Sequence, residues 1–76
     1  MSKKMITAKD IVNKFNISFQ TVNHYTNFGL LRVVTKQSNV RMYVEAEVKI
    51  RLEKIHKMIS EGYPLRLIRD KLNGVV

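Results

Sequence analysis

Apolar residues recur along this chain at two different periods, and the change of period marks out its elements. Ala8, Ile11, Val12 and Phe15 fall on one face of a helix, with Lys9, Asn13 and Lys14 on the other. Thr7 is placed to open that helix: its hydroxyl can accept from the amide three residues on, and Asp10 can reach back to complete a capping box. Asn16 tolerates the left-handed conformation of a helix end, and Ser18 starts afresh as an N-cap. The second helix is expected from Phe19 to about Phe28, with Gly29 as its stop and Phe19, Val22 and Tyr25 or Thr26 facing inward. Two helices about three residues apart have the spacing of a helix-turn-helix.

After Gly29 the period shortens. Leu31 to Val34 and Val40 to Tyr43 are β-prone, and the polar stretch from Thr35 to Asn39 reads as a turn between them, with Lys36 near its tip and Arg41 on the return strand. Glu45 and Glu47 suit the positive end of a third helix. Val48, Leu52, Ile55 and Ile59 give it an apolar stripe, Lys49, Arg51, Lys54 and Lys57 cover the rest, and Gly62 ends it. Pro64 belongs to the first turn of a fourth helix, in which Leu65, Ile68 and Leu72 face inward before Asn73 and Gly74 stop it. The predicted fold is mostly α with a small β-hairpin: a winged helix-turn-helix, with the hairpin as wing and a two-helix hairpin behind it. Residues 1–76 are read as a single domain.

Composition narrows the function. Lys and Arg number 14 against 6 Asp and Glu, a formal net charge of +8 on 76 residues, which favours a polyanionic partner. There is no cysteine, so neither a disulfide framework nor a thiolate metal site is expected. No apolar run approaches the ~20 residues that cross a bilayer, and the first residues lack a signal-peptide apolar region. The expectation is a cytoplasmic, nucleoid-associated protein with no membrane partner. No Gly-rich phosphate loop and no Ser, His and acidic set at a recognisable spacing is present, so neither an enzyme nor a cofactor site is predicted.

The second helix carries the chemistry. Gln20, Asn23, His24 and Asn27 recur at i, i+3, i+4 and i+7 and form one stripe. Asn and His are poorer helix formers than the Lys, Glu and Arg that usually dress a helix surface; what they supply is hydrogen-bonding edges. In a helix-turn-helix the second helix lies in the major groove with its N-terminal residues at base edges. Gln20, Thr21, Asn23 and His24 occupy that portion. Asn or Gln can pair with adenine, and Thr can touch a thymine methyl, so half-sites containing A·T pairs are expected. Ser18 and its neighbouring amides suit a phosphate, as does the Tyr25 hydroxyl unless the ring packs inward. On the hairpin, Lys36 and Arg41 offer charge to the flanking backbone, and Gln37, Ser38 and Asn39 offer neutral hydrogen bonds.

Ser18-Phe-Gln-Thr-Val-Asn-His-Tyr25, Phe28-Gly-Leu-Leu31, Val40-Arg-Met-Tyr43, Glu45-Ala-Glu-Val48 and Glu61-Gly-Tyr-Pro-Leu65, in this order and spacing, resemble the DNA-binding domain of the MerR family. The resemblance runs from about Ile6 to Leu72. Where such recognition helices usually carry an arginine this chain has Asn23, and where they often carry a Tyr-Tyr pair it has His24-Tyr25. The resemblance implies a bacterial transcription regulator that binds double-stranded DNA as a homodimer on a palindromic or repeated site.

Other readings stand beside this one. A stand-alone winged-helix factor resembling phage excisionases or terminase small subunits would organise DNA instead of regulating transcription, and a protein-interaction module would turn its basic faces to acidic partners. The amide stripe can be read as a solvated face, and Arg41 as the ion-pair partner of Glu45 or Glu47. His56 reads as a surface residue, Tyr43 and Tyr63 as core or junction aromatics, and Met5, Met42 and Met58 as gap-fillers.

Overall fold

Thr7 serves two elements at once. It is the last residue of a short strand, β1 (Met5–Thr7), and the N-cap of the first helix, α1 (Ala8–Phe15). The capping box forms: the Asp10 amide donates to the Thr7 hydroxyl at 3.2 Å, and the Thr7 amide donates to the Asp10 carboxylate at 3.0 Å. The hydrogen bond from the Thr7 amide, followed by one from the Thr7 side chain, holds the Asp10 carboxyl below its ordinary pKa. Asn16 ends α1 in the left-handed region, at φ 57°. Ser18 then caps α2 (Phe19–Asn27) by accepting from the Thr21 amide at 3.0 Å. The computed structural model describes residues 3–74; residues 1, 2, 75 and 76 of the expected 1–76 domain lie outside the described residues.

Beyond α2 the chain turns at Gly29, at φ +86°, where a β-carbon would come within 3.2 Å of the Arg69 side chain. A sheet follows. Strands β2 (Thr35–Gln37) and β3 (Val40–Val44) pair antiparallel, and β1 pairs antiparallel on the other side of β3, giving the order β1-β3-β2. The register sets Ile6 opposite Tyr43 and Lys36 opposite Arg41. Ser38 and Asn39 join the strands, both at positive φ, the conformation of a two-residue type I′ turn that matches strand twist.

Two expectations are corrected here. The outgoing strand is not Leu31 to Val34 but Thr35 to Gln37, because the tight turn at Ser38-Asn39 forces Gln37 to pair with Val40. Leu30 and Leu31 are spent on core burial instead. The sheet also has a third strand, β1, which three residues are too few to announce by alternation.

The third helix, α3 (Glu45–Ser60), starts without a side-chain cap at Val44. The Glu45 amide donates instead to the Lys4 carbonyl at 3.0 Å, across from the start of β1. Helix α4 (Leu65–Leu72) follows a turn that contains Gly62 and begins after Pro64.

Every element but β2 contributes to one core: Ile6 from β1, Ile11 from α1, Val22 and Tyr25 from α2, Leu30 and Leu31 from the loop, Tyr43 from β3, Val48, Leu52 and Ile55 from α3, and Ile68 from α4. Five residues depart from the expected pattern. Phe19, Ile59, Tyr63 and Met5 are exposed. Met58, next to Ile59, packs against the core in its place, and the Tyr63 ring lies under the Lys71 ammonium at 5.2 Å. Arg51, expected on the outside of α3, is largely covered; it donates to the Leu30 carbonyl at 3.1 Å and pairs with Glu47 at 3.4 Å. No described helix is long and apolar enough to cross a membrane.

Candidate nucleic-acid interface

A reading face needs a rigid helix, hydrogen-bonding side chains pointing away from the core, and cations that no carboxylate has already neutralised. Helix α2 is held from both sides. The Thr26 hydroxyl donates to the Val22 carbonyl at 2.7 Å and lies 2.8 Å from the Tyr43 hydroxyl. Threonine has one hydroxyl proton, so in the second bond Tyr43 is the donor. This bond links β3 to the last turn of α2 and sets where the hairpin stands relative to the helix. Just past that turn, Asn73 donates to the Gly29 carbonyl at 3.1 Å, and the Arg69 guanidinium lies over the Phe28 ring at 4.9 Å. The His24 ring stacks on that same Phe28 at 5.8 Å.

With the helix fixed, its outer face divides in two. Asn23, Asn27 and Phe19 border a groove of about 690 Å³ between α2 and the hairpin, closed on the other side by Thr7, Ala8, Lys9, Asn39, Val40 and Arg41. Gln20, Thr21, His24 and the edge of Tyr25 border a shallower hollow that reaches Leu65 of α4. The amide stripe is therefore the ridge between two depressions. Gln20, His24 and Asn27 are exposed and Asn23 is half-buried.

Ser18 and Thr21 sit at the N-terminus of this ridge. Their hydroxyls share a hydrogen bond at 2.8 Å while Ser18 also accepts the Thr21 amide. Of the two hydroxyl protons one is consumed in that bond, so one remains to be offered outward. Tyr25 stands apart from the other expected contacts, because its ring belongs to the core and it is 9% exposed.

On the hairpin, Lys36, Gln37, Ser38, Asn39 and Arg41 are all exposed. Lys36 pairs across the ladder with Arg41, so the tip is Ser38-Asn39 and the two cations stand side by side one pair back from it. Among the described residues neither has a carboxylate partner. The two acids nearest in sequence to Arg41 pair elsewhere: Glu45 with Lys14 and Lys4, Glu47 with Arg32 and Arg51. The hydrogen bond from Lys14, reinforced by the charges of Lys14 and Lys4, holds the Glu45 carboxyl below its ordinary pKa.

Sequence reasoning missed Phe19, Val40 and Lys9 as parts of this face. On a helical wheel Phe19 falls between Val22 and Asn23, at the border of the buried stripe, and a border residue is assigned by what stands opposite it in space. The strand assignment for Val40 said nothing of its solvent-facing side.

Two helices joined through the turn at Asn16, with a polar ridge on the second and a basic hairpin beside it, define a helix-turn-helix DNA-binding protein. The comparison with known families agrees: the chain matches the MerR HTH family regulatory protein over residues 6–75, and it belongs to that family. No curated protein and no solved structure gives a significant match. The family is a regulatory, DNA-binding one and not an enzymatic one.

Proposed function

We propose that this chain, residues 1–76, is one sequence-specific DNA-binding domain of a transcription regulator, with α2 in the major groove and the β2–β3 hairpin as a wing on the flanking backbone. The observation that carries the reading is that the hydrogen-bonding ridge of α2 and the two cations of the hairpin, neither paired with a carboxylate among the described residues, share one face. Gln20, Asn23 and His24 would meet base edges, with Asn23 and Gln20 suited to adenine. The free hydroxyl proton of the Ser18–Thr21 pair would go to a phosphate, as would Lys36 and Arg41, with Gln37, Ser38 and Asn39 adding neutral contacts; Tyr25, whose ring is core, is left out of the contact set. The phosphate contacts would supply most of the affinity and make it salt-dependent. A single domain of this kind covers only ~600–1,000 Å² on DNA, so a homodimer on a palindromic or repeated site, with half-sites one helical turn apart, is the fitting assembly.

The test begins with selection from a random duplex library, followed by salt titrations of the wild type and of Asn23→Ala with His24→Ala. Enrichment of an A·T-containing motif is expected, and the double variant should lose discrimination while keeping its salt slope. A variant that discriminates as well as the wild type removes α2 from the reading role. Absence of duplex binding at moderate salt overturns the DNA-binding reading and leaves an acidic protein as the partner.

A further inference from the structure

Two of the exposed apolar side chains meet in one place. Phe19 is 54% exposed and Val40 is 47% exposed, and both line the groove between α2 and the hairpin. Single apolar residues scattered on a surface are ordinary; a phenylalanine on the first turn of one element facing a valine on the start of another, across an open groove, forgoes burial at two positions that a core does not use. The rest of the lining limits what can enter. Lys9 and Arg41 rim the groove, Asn23 and Asn27 line it, and none of its lining residues is a carboxylate. The neighbouring groove at the start of α3, by contrast, includes Glu45 and Glu47.

We propose that Phe19 is a specificity residue that recognises the C5-methyl group of a thymine, with Val40 as the opposite wall; this rests on the DNA-binding reading above. Phosphates complement Lys9 and Arg41, and the thymine methyl is the one apolar group that base pairs display in the major groove. Phe19 is the first residue of α2, the end of a recognition helix that reaches base edges. Asn23 lies one turn further along the same side, so the methyl that Phe19 meets sits beside the adenine that Asn23 reads. The preferred step therefore contains a thymine next to an adenine, and the contact depends on the methyl and on no hydrogen bond of the base.

That dependence makes a clean experiment, because deoxyuridine lacks only the methyl. After a binding site has been selected with the wild-type chain, each thymine in it is replaced singly by deoxyuridine and affinities are measured for wild type, Phe19→Ala and Phe19→Leu. The expected result is one thymine per half-site whose replacement weakens wild-type binding about fourfold, the equivalent of ~0.8 kcal/mol for one buried methyl-sized group. Phe19→Ala should be indifferent to that replacement, and Phe19→Leu, which keeps an apolar tip, should retain most of it. Unchanged melting of Phe19→Ala is expected for an exposed side chain. Equal losses in wild type and Phe19→Ala at every thymine, or no loss at any, overturn the role of Phe19 while DNA binding stands. Failure of the wild type to enrich any sequence overturns both together.

Discussion

Two grooves border this molecule's sheet and helices, and cations rim both, yet they differ in what those cations are free to do. The one between α2 and the hairpin holds about 690 Å³ and carries Lys9, Arg41 and two asparagines. The one at the start of α3 holds about 540 Å³ and carries Lys3, Lys4, Arg32, Arg51 and Lys54, but also Glu45 and Glu47. In the second, Lys4 pairs with Glu45 at 3.6 Å, Arg32 with Glu47 at 3.1 Å and Arg51 with Glu47 at 3.4 Å. The Lys4 and Arg32 pairs, whose cations are exposed, are worth only ~0–1 kcal/mol each, so their larger consequence is to offset part of that surface's positive charge. A net charge of +8 is thus unevenly available: among the described residues both cations of the first groove lack a carboxylate partner, while three of the five in the second are paired. Local pairing, more than total charge, singles out the groove whose cations all lack a carboxylate partner.

The strongest way to break this comparison is to remove the polar ridge on one side and the cations on the other. Loss of a bidentate base contact costs ~1–3 kcal/mol of discrimination, so Asn23→Ala with His24→Ala should narrow the gap between selected and scrambled duplexes by roughly 5- to 150-fold. Arg32→Ala with Lys54→Ala should leave that gap unchanged in the same fluorescence anisotropy assay. If both pairs cost the same, the two grooves do not differ in the way drawn here.

Salt dependence sharpens the point. Arg41→Ala should lower the log–log slope of affinity against salt by about 0.9, the value of one phosphate contact. Arg32→Ala, already balanced by Glu47, should leave the slope where it was.

A smaller effect tests how the first groove is held open. Tyr43→Phe removes the donor that links β3 to Thr26 of α2, and one such hydrogen bond is worth ~1 kcal/mol. For a chain of this size the melting temperature should fall by about 4–8 °C. An unchanged melting curve would show that packing alone sets the hairpin against the helix.

The smallest effect is in acid. Asp10 and Glu45 are both held below their ordinary pKa, Asp10 chiefly by the Thr7 amide and Glu45 chiefly by Lys14. A carboxylate with a lowered folded-state pKa contributes stability that is fully present above its unfolded value, about pH 4, and is lost as pH falls through the lowered one. Melting temperature should therefore hold steady above about pH 5 and decline below about pH 4. Asp10→Asn and Glu45→Gln should each flatten that decline, and wild-type acid sensitivity in both variants would assign it to other groups.

How much of this was legible beforehand varies by element. The capping box at Thr7, the left-handed Asn16, the Ser18 cap and the turn at Gly29 were all readable, because each depends on residues within three or four positions of one another. The charge-bearing hairpin was readable as a hairpin, but its outgoing strand was misplaced by about four residues. β-propensity favoured the apolar run of Leu31 to Val34, and the core claimed part of that run. Phe19 was assigned inward because it continues the spacing of Val22 and Tyr25, and Arg51 outward because it is charged.

The sequence by itself determined where the helices of this protein begin and end, the polar ridge on the second of them, and an excess of positive charge, since caps, helical period and composition are local or additive properties. Only the tertiary structure decided that β1 joins the sheet, that Tyr43 fastens the hairpin to α2, that Glu45 and Glu47 pair with three cations of one groove and with none of the other's, and that Phe19 and Val40 face each other across that other groove. Each of these is a meeting of side chains or strands distant in the chain, and neither periodicity nor composition carries information about such pairs until the core has packed and brought them together.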